Sequence, residues 1–158
     1  MDRVTREISA FLDRIGIPVV LEAIPGDTFL PAMAIRNGAL IVDLARLTHP
    51  GDLLHEAGHI AVTDPALRPT LSEVSSDGGE EMAAIAWSYA AALAIGIDPR
   101  IVFHDHGYAG GGAHLAEQFA AGHYLAVPLL QWFGMARDAT TAAADGVAAF
   151  PQMIRWLR

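Results

Sequence analysis

The segment His55-Glu56-Ala57-Gly58-His59 places the strongest constraint on what this chain can fold into. Because residues i and i+4 lie on the same face of an α-helix, His55 and His59 can bind one metal ion if the segment is helical. Glu56 then lies toward the ion's open side, where it can take a proton from water. The pattern therefore predicts a helix with a Zn²⁺ site, in which His55 and His59 are ligands and Glu56 is the general base.

Such a site needs a third protein ligand, and the spacing of the chain narrows the choice. Metzincins place a third His six residues after the second, and Pro65 stands at that position here. The adjacent residues Glu80 and Glu81 instead open the next, alanine-rich helix, which is the gluzincin arrangement. The phase of that helix favours Glu81 over Glu80, because small and apolar residues follow Glu81 along one face.

Residues 53–59 and 81–93 (LLHEAGH and EMAAIAWSYAAAL) resemble the ImmA/IrrE-like family of zinc metallopeptidases. In that family a small sheet precedes the HExxH helix, and a second helix has a pattern like E-x-x-A-x-x-aromatic-small. The residues of this chain that match the second pattern are Glu81, Ala84, Trp87 and Ser88, whereas Ile85 stands where Asn is common.

The resemblance extends over about residues 38–93 and implies a fold, an activity and a set of site residues. It implies a zincin-like metallopeptidase domain. It also implies His55, His59 and Glu81 as the zinc ligands and Glu56 as the catalytic base. The C-terminal part of the chain has no counterpart in the family, so the resemblance does not extend to the substrate.

The order of the predicted elements, a few strands followed by helices, indicates the α+β class and one domain over residues 1–158. Asn37-Gly38 is a strong hairpin turn, and glycines at positions 16 and 96 mark helix ends. We expect strands at 17–24, 29–35 and 38–44, and helices at 2–14, from 50–52 to about 63, 79–95, 113–122, 128–135 and 147–157.

The loop that follows the alanine-rich helix contains a second group of polar residues. His106 or Tyr108 could donate a hydrogen bond to a developing oxyanion. Asp105-x-x-Tyr108 also matches the pattern of aspzincins, in which Asp is the third ligand, but Asp105 is much farther from the motif than in that family. His104 or His106 could instead act as a fourth ligand and close the zinc site.

Other histidines and aromatic residues have more ordinary interpretations. His49 fits a residue that supports the site or lies on the surface. The residues interpreted as packed or surface residues are His114, His123 and Tyr124. The aromatic residues expected in the core are Trp87, Phe119, Trp132, Phe133 and Trp156.

Composition excludes several other classes of protein. The chain has no cysteine, which excludes a Cys-ligated zinc or iron–sulfur site. Its net charge of −8 argues against direct nucleic-acid binding. The charged N-terminal segment is not a secretory signal, and no apolar run is long enough for a membrane span, so we expect a cytoplasmic protein. Residues 128–135 could form a core helix or a homodimer face.

These observations predict a zinc-dependent metallopeptidase of the gluzincin type that hydrolyses peptide bonds in a protein or peptide substrate, such as a regulator. The alternative is a non-proteolytic module that uses the same zinc site for structure or sensing. Iron(II) is a further alternative, because two imidazoles and a carboxylate also suit that ion.

Overall fold

Strands precede most of the helices along the chain, as the α+β class requires, and this class is confirmed. The computed structural model describes residues 1–26 and 32–158. In these ranges the helices are α1 (Arg3–Ile15), α2 (Asp52–Val62), α3 (Gly78–Ile95), α4 (Gly112–Ala120), α5 (Val127–Trp132) and α6 (Ala139–Asp145). The strands are β1 (Val19–Leu21), β2 (Met33–Arg36) and β3 (Ala39–Val42). Single 3₁₀ turns lie at Arg68–Thr70, Pro99–Ile101 and Tyr108–Gly110.

The sheet has the order β1-β3-β2, with β1 parallel and β2 antiparallel to β3. Asn37 and Gly38 have φ angles of 51° and 73°, which a tight hairpin between two twisted strands requires. The predicted hairpin turn is therefore confirmed. The predicted strand at 29–35 is observed as Met33–Arg36, while residues 29–31 lie outside the described ranges.

Local capping sets the ends of α1, as the sequence predicts. The Asp2 carboxylate accepts a hydrogen bond from the backbone N–H of Thr5. Gly16 ends the helix in the left-handed region, with φ of 92°. Between these ends, Ile8 and Leu12 are fully buried in the core.

Helices α2 and α3 pack against each other at very close range in the middle of the core. A Cβ atom at Gly58 would lie only 2.8 Å from the carbonyl oxygen of Ala84, so glycine permits this approach. Asp77 caps α3 by accepting hydrogen bonds from the backbone N–H groups of Gly79 and Glu80. The packing and the cap together hold the first turn of α3 beside α2.

The prediction of a helix at 147–157 is wrong. Helix α6 ends at Asp145, with Gly146 as its C-cap, and turns and bends without a helix follow it. Pro151 has no N–H to donate to a helix, and it restricts the residue before it. Tertiary hydrogen bonds hold this segment instead, from Trp87 Nε1 to the carbonyl of Trp156 and from the N–H of Ile154 to the carbonyl of Met135.

The sequence interpretation missed α6 and misplaced one aromatic residue. Asp138 caps α6 by accepting a hydrogen bond from the N–H of Thr141, a local signal that was present in the sequence. The sequence predicts Trp132 in the core, but this last residue of the short helix α5 is 83% exposed. Trp87 and Phe119 are fully buried, as expected.

Candidate metal centre

Helices α2 and α3 bring together the three ligands that the sequence predicts. The Nε2 atoms of His55 and His59 lie 3.2 Å apart. Glu81 Oε1 lies 3.4 Å from His55 Nε2, and Glu81 Oε2 lies 3.2 Å from His59 Nε2. Two imidazole nitrogens from α2 and a carboxylate from α3 therefore lie close enough together to hold one metal ion.

These separations fit a zinc ion. Ligand atoms at about 2.0–2.1 Å from a tetrahedral zinc lie about 3.3–3.4 Å from each other. The two histidine nitrogens are 3.2 Å apart, and each lies 3.2–3.4 Å from a different oxygen of the Glu81 carboxylate, distances close to that spacing. Two imidazoles and a carboxylate are also a donor set that zinc accepts.

The neighbouring glutamates of the first turn of α3 have different surroundings. Glu81 joins the histidine pair, whereas Glu80 Oε1 lies 3.7 Å from Nη1 of Arg158. The structure thus brings Glu81, which the helical phase favours, to the site, and it gives Glu80 a separate ion pair.

The protonation states that the site favours are those that bind metal. Burial is the main cause that lowers the pKa of His55 to about 4, and the electrostatic interaction with neighbouring His59 lowers it further. The hydrogen bond with His59 is the main reason that the pKa of Glu81 lies below its usual range. A neutral imidazole and an ionised carboxylate are the forms that coordinate a metal ion.

Glu56 lies beside this cluster in a cavity of about 870 Å³. Burial raises the pKa of Glu56, and this effect outweighs the electrostatic interaction with His59, which lowers it. A carboxyl group whose pKa lies closer to neutral is better suited to receive and release a proton. The cavity is bordered by all three ligands, by Met33, Ala34 and Ile35 of β2, and by Ser72, Glu73 and Val74.

Tyr108 lies at the site, but its hydroxyl does not face open space. Its ring packs edge-on against His55, with 5.4 Å between ring centroids, and it borders the cavity. The hydroxyl is buried, and burial raises its pKa. The contact with His55 is therefore shown, whereas an oxyanion contact stays a prediction.

The other loop residues lie away from the three ligands. His106 is exposed, and its ring stacks with that of His49, with 5.1 Å between ring centroids. It does not border the cavity that holds His55, His59 and Glu81. Its predicted role as an oxyanion donor has no support in this arrangement, because the loop turns its ring toward His49. Asp105 is exposed and borders a different cavity with His104 and His106.

Asp52 lies at the site, although the sequence did not indicate a role for it there. The sequence indicates only a helix cap or first-turn acid, and Asp52 is indeed the first residue of α2. Its carboxylate also borders the cavity and lies 2.7 Å from Nε2 of His104. Its position one turn before His55 and Glu56 is the signal that could have pointed to the site.

Comparisons with models of protein families, with curated proteins and with solved structures find no match for this chain. The resemblance to ImmA/IrrE-like metallopeptidases consequently depends on the motif residues alone and stays a prediction. None of the helices in the described residues is long and apolar enough to cross a membrane.

Proposed function

We propose that this chain is a zinc-dependent metallopeptidase of the gluzincin type, with a zincin-like fold. The observation that carries the proposal is the convergence of His55, His59 and Glu81, with 3.2–3.4 Å between ligand atoms, beside Glu56 in an open cavity. The resemblance of residues 53–59 and 81–93 to ImmA/IrrE-like metallopeptidases supports the same conclusion.

In this proposal His55, His59 and Glu81 hold the ion. A zinc ion in such a site supplies Lewis-acid polarisation of a carbonyl and a lower pKa for water. Glu56 accepts a proton from the attacking water and delivers it to the leaving amine, so that one carboxyl group serves both halves of the reaction. The raised pKa of Glu56 favours this exchange. The ring of Tyr108 holds His55 in place from the side.

The walls of the cavity suit an extended peptide. Strand β2 is at one edge of the sheet and, among the described residues, it pairs only with β3. Its residues Met33–Ile35 border the cavity that holds the ligands. A peptide can add to such an edge through backbone hydrogen bonds. We therefore propose an extended segment of a protein or peptide as the substrate.

The non-proteolytic alternative has less support. A structural zinc site is normally closed by a fourth protein ligand. Within the described residues, the cluster contains only His55, His59 and Glu81. His104 and His106, which could have closed the site, form a different cluster with His49. Elemental analysis of protein purified without added metal would separate zinc from iron(II).

The test of the proposed function is the substitution Glu56→Gln. We expect zinc content to stay at the wild-type level, because Glu56 is not a ligand, and peptide hydrolysis to fall by about 10²- to 10⁴-fold, the usual worth of a general base. Cleavage of a mixture of proteome-derived peptides, followed by mass spectrometry, measures the hydrolysis.

Two variants complete that experiment. His59→Ala should lose both zinc and hydrolysis, whereas Glu80→Gln, next to a ligand but paired with Arg158, should keep both. Wild-type rates in Glu56→Gln would overturn the proposed role of Glu56. The absence of any cleavage by the zinc-loaded wild-type protein would favour the non-proteolytic alternative.

A further inference from the structure

Three histidines that the proposed reaction does not use form a second cluster. His49, in the connection before α2, lies between His104 and His106 of the later loop, with 4.1 Å and 5.1 Å between ring centroids. One nitrogen from each ring lies within 4.8 Å of those of the other two. Histidine is the commonest metal ligand in proteins, so three histidines at one place are a candidate metal site.

The contacts of His104 indicate which of its two ring nitrogens can bind a metal ion. Its Nε2 lies 2.7 Å from the Asp52 carboxylate, which can only accept a hydrogen bond, so Nε2 carries the proton. In the neutral ring, Nδ1 then has a free lone pair. Nδ1 of His104 is buried and has no hydrogen-bond partner among the described residues. A buried lone pair without a donor is costly to maintain.

We infer that His49, His104 and His106 form a second site for a divalent transition-metal ion, with His104 binding through Nδ1. A histidine that donates its other ring N–H to a carboxylate is the usual arrangement of a metal ligand, and Asp52 provides that carboxylate. Neutral imidazole suits zinc, copper and nickel ions. The nearby charge of Asp52 offsets part of the charge that such an ion brings.

The cluster needs a small adjustment to bind an ion. Three nitrogens on one zinc ion lie about 3.3 Å apart, whereas these lie up to 4.8 Å apart with the rings stacked. The exposed ring of His106 can turn at little cost, and the stack of His49 on His104 must open so that their nitrogens face one ion. His104 and His106 also border a second cavity of about 760 Å³, which provides a path for an ion.

An ion at this second site would join two segments that border the first. His49 precedes α2, while His104 and His106 precede Tyr108, whose ring packs on His55. Asp52 borders the cavity of the first site, and its carboxylate contacts His104 of the second cluster. The second ion would thus restrain the loop that holds Tyr108, without itself contacting the peptide.

Metal content, which needs no knowledge of a substrate, tests this inference. The full chain is stripped with a chelator, loaded with zinc, dialysed and analysed by elemental mass spectrometry. We expect about two zinc ions per wild-type chain. The double variant His49→Ala/His106→Ala should retain about one, and so should His55→Ala/His59→Ala. A variant with all four changes should retain none.

The matched control is His114→Ala/His123→Ala, which removes two exposed histidines outside both clusters and should keep about two ions. Asp52→Asn should keep both ions at saturating zinc but weaken the second by about 10- to 100-fold, as loss of a ligand's carboxylate partner does. A wild-type zinc content that His49→Ala/His106→Ala does not lower, whether one or two ions per chain, would overturn the inference and leave the proposed peptidase site unaffected.

Discussion

Glu80 and Glu81 have the same chemistry but different partners, and the geometry of α3 explains the difference. Successive side chains leave an α-helix about 100° apart. When Glu81 faces the histidines of α2, Glu80 must face elsewhere, and it lies 3.7 Å from Arg158. Position around the helix axis therefore decides which carboxylate can reach a metal ion.

The substitution Glu81→Gln tests this difference at a single residue. Loss of a residue that supports a metal ligand lowers metal affinity by about 10- to 100-fold. Because Glu81→Gln removes the charge of a proposed ligand itself, we expect a larger fall in the zinc affinity of the first site. Glu80→Gln should leave that affinity unchanged. Competition with a chromophoric chelator, in the His49→Ala/His106→Ala background, measures both. Equal losses in the two variants would contradict the assignment.

Helical periodicity made His55, Glu56 and His59 predictable, because their arrangement depends only on neighbours in the chain. The choice of Glu81 required the rotation of α3 about its axis, which the small residues along one face indicated but did not fix. The structure shows the contact of Tyr108 with His55, whereas the oxyanion role that the sequence indicates for Tyr108 stays a prediction. The direction of its side chain depends on the fold of the loop, and no local pattern specifies it.

At the scale of the elements, the site depends on how closely α2 and α3 approach. Gly58→Ala would place a methyl group 2.8 Å from the Ala84 carbonyl oxygen and 3.1 Å from its Cα, which are backbone atoms that cannot move aside alone. Alanine gains about 0.8–1.0 kcal/mol in helix propensity over glycine, while overpacking costs about 1–3 kcal/mol. The overpacking should dominate.

We therefore expect Gly58→Ala to lower the free energy of unfolding by about 1 kcal/mol and to weaken zinc binding at the first site, because α3 must move away from α2. Urea unfolding and zinc titration measure the two effects. Gly78→Ala is the matched control, since a Cβ there meets nothing within 4 Å, and it should not destabilise. A stable Gly58→Ala protein with unchanged affinity would show that the interface can adjust.

The elements that the sequence predicted well are those with local signals at their ends. Asp2 caps the start of α1 and Gly16 caps its end. Asn37-Gly38 forms the hairpin turn, and Gly96 ends α3 in the left-handed region. The segment after Gly146 has no such signals and was predicted as a helix. Its conformation depends on hydrogen bonds to distant residues, so no short window of sequence could specify it.

At the scale of the whole molecule, the second cluster exists because distant segments pack closely. A Cβ at Gly51 would lie 1.9 Å from the carbonyl oxygen of Ile101, and one at Gly112 would lie 2.4 Å from that of His104. The first approach brings the later segment against the start of α2, near His49, and the second folds the loop against the start of α4. Because His49 and His104 are far apart in sequence, their proximity could not be predicted from either segment alone.

The proposed zinc ligands lie on two helices that are separate in sequence, so zinc bound by them should stabilise the whole fold. An ion that binds the native chain but not the unfolded one adds about 2.7 kcal/mol when its concentration is 100 times the Kd. For a chain of 158 residues, each 1 kcal/mol raises the Tm by about 2–4 °C. We expect zinc to raise the Tm by about 5–10 °C in the His49→Ala/His106→Ala protein, where the second cluster cannot contribute.

Calorimetry of the stripped and the zinc-loaded protein measures this rise. Adding His59→Ala to the same background should abolish it, because the ligands from α2 and α3 would no longer converge on an ion. A rise that persists without His59 would place the stabilising zinc elsewhere on the chain. No rise in the parent protein would mean that His55, His59 and Glu81 do not link the two helices through a metal ion.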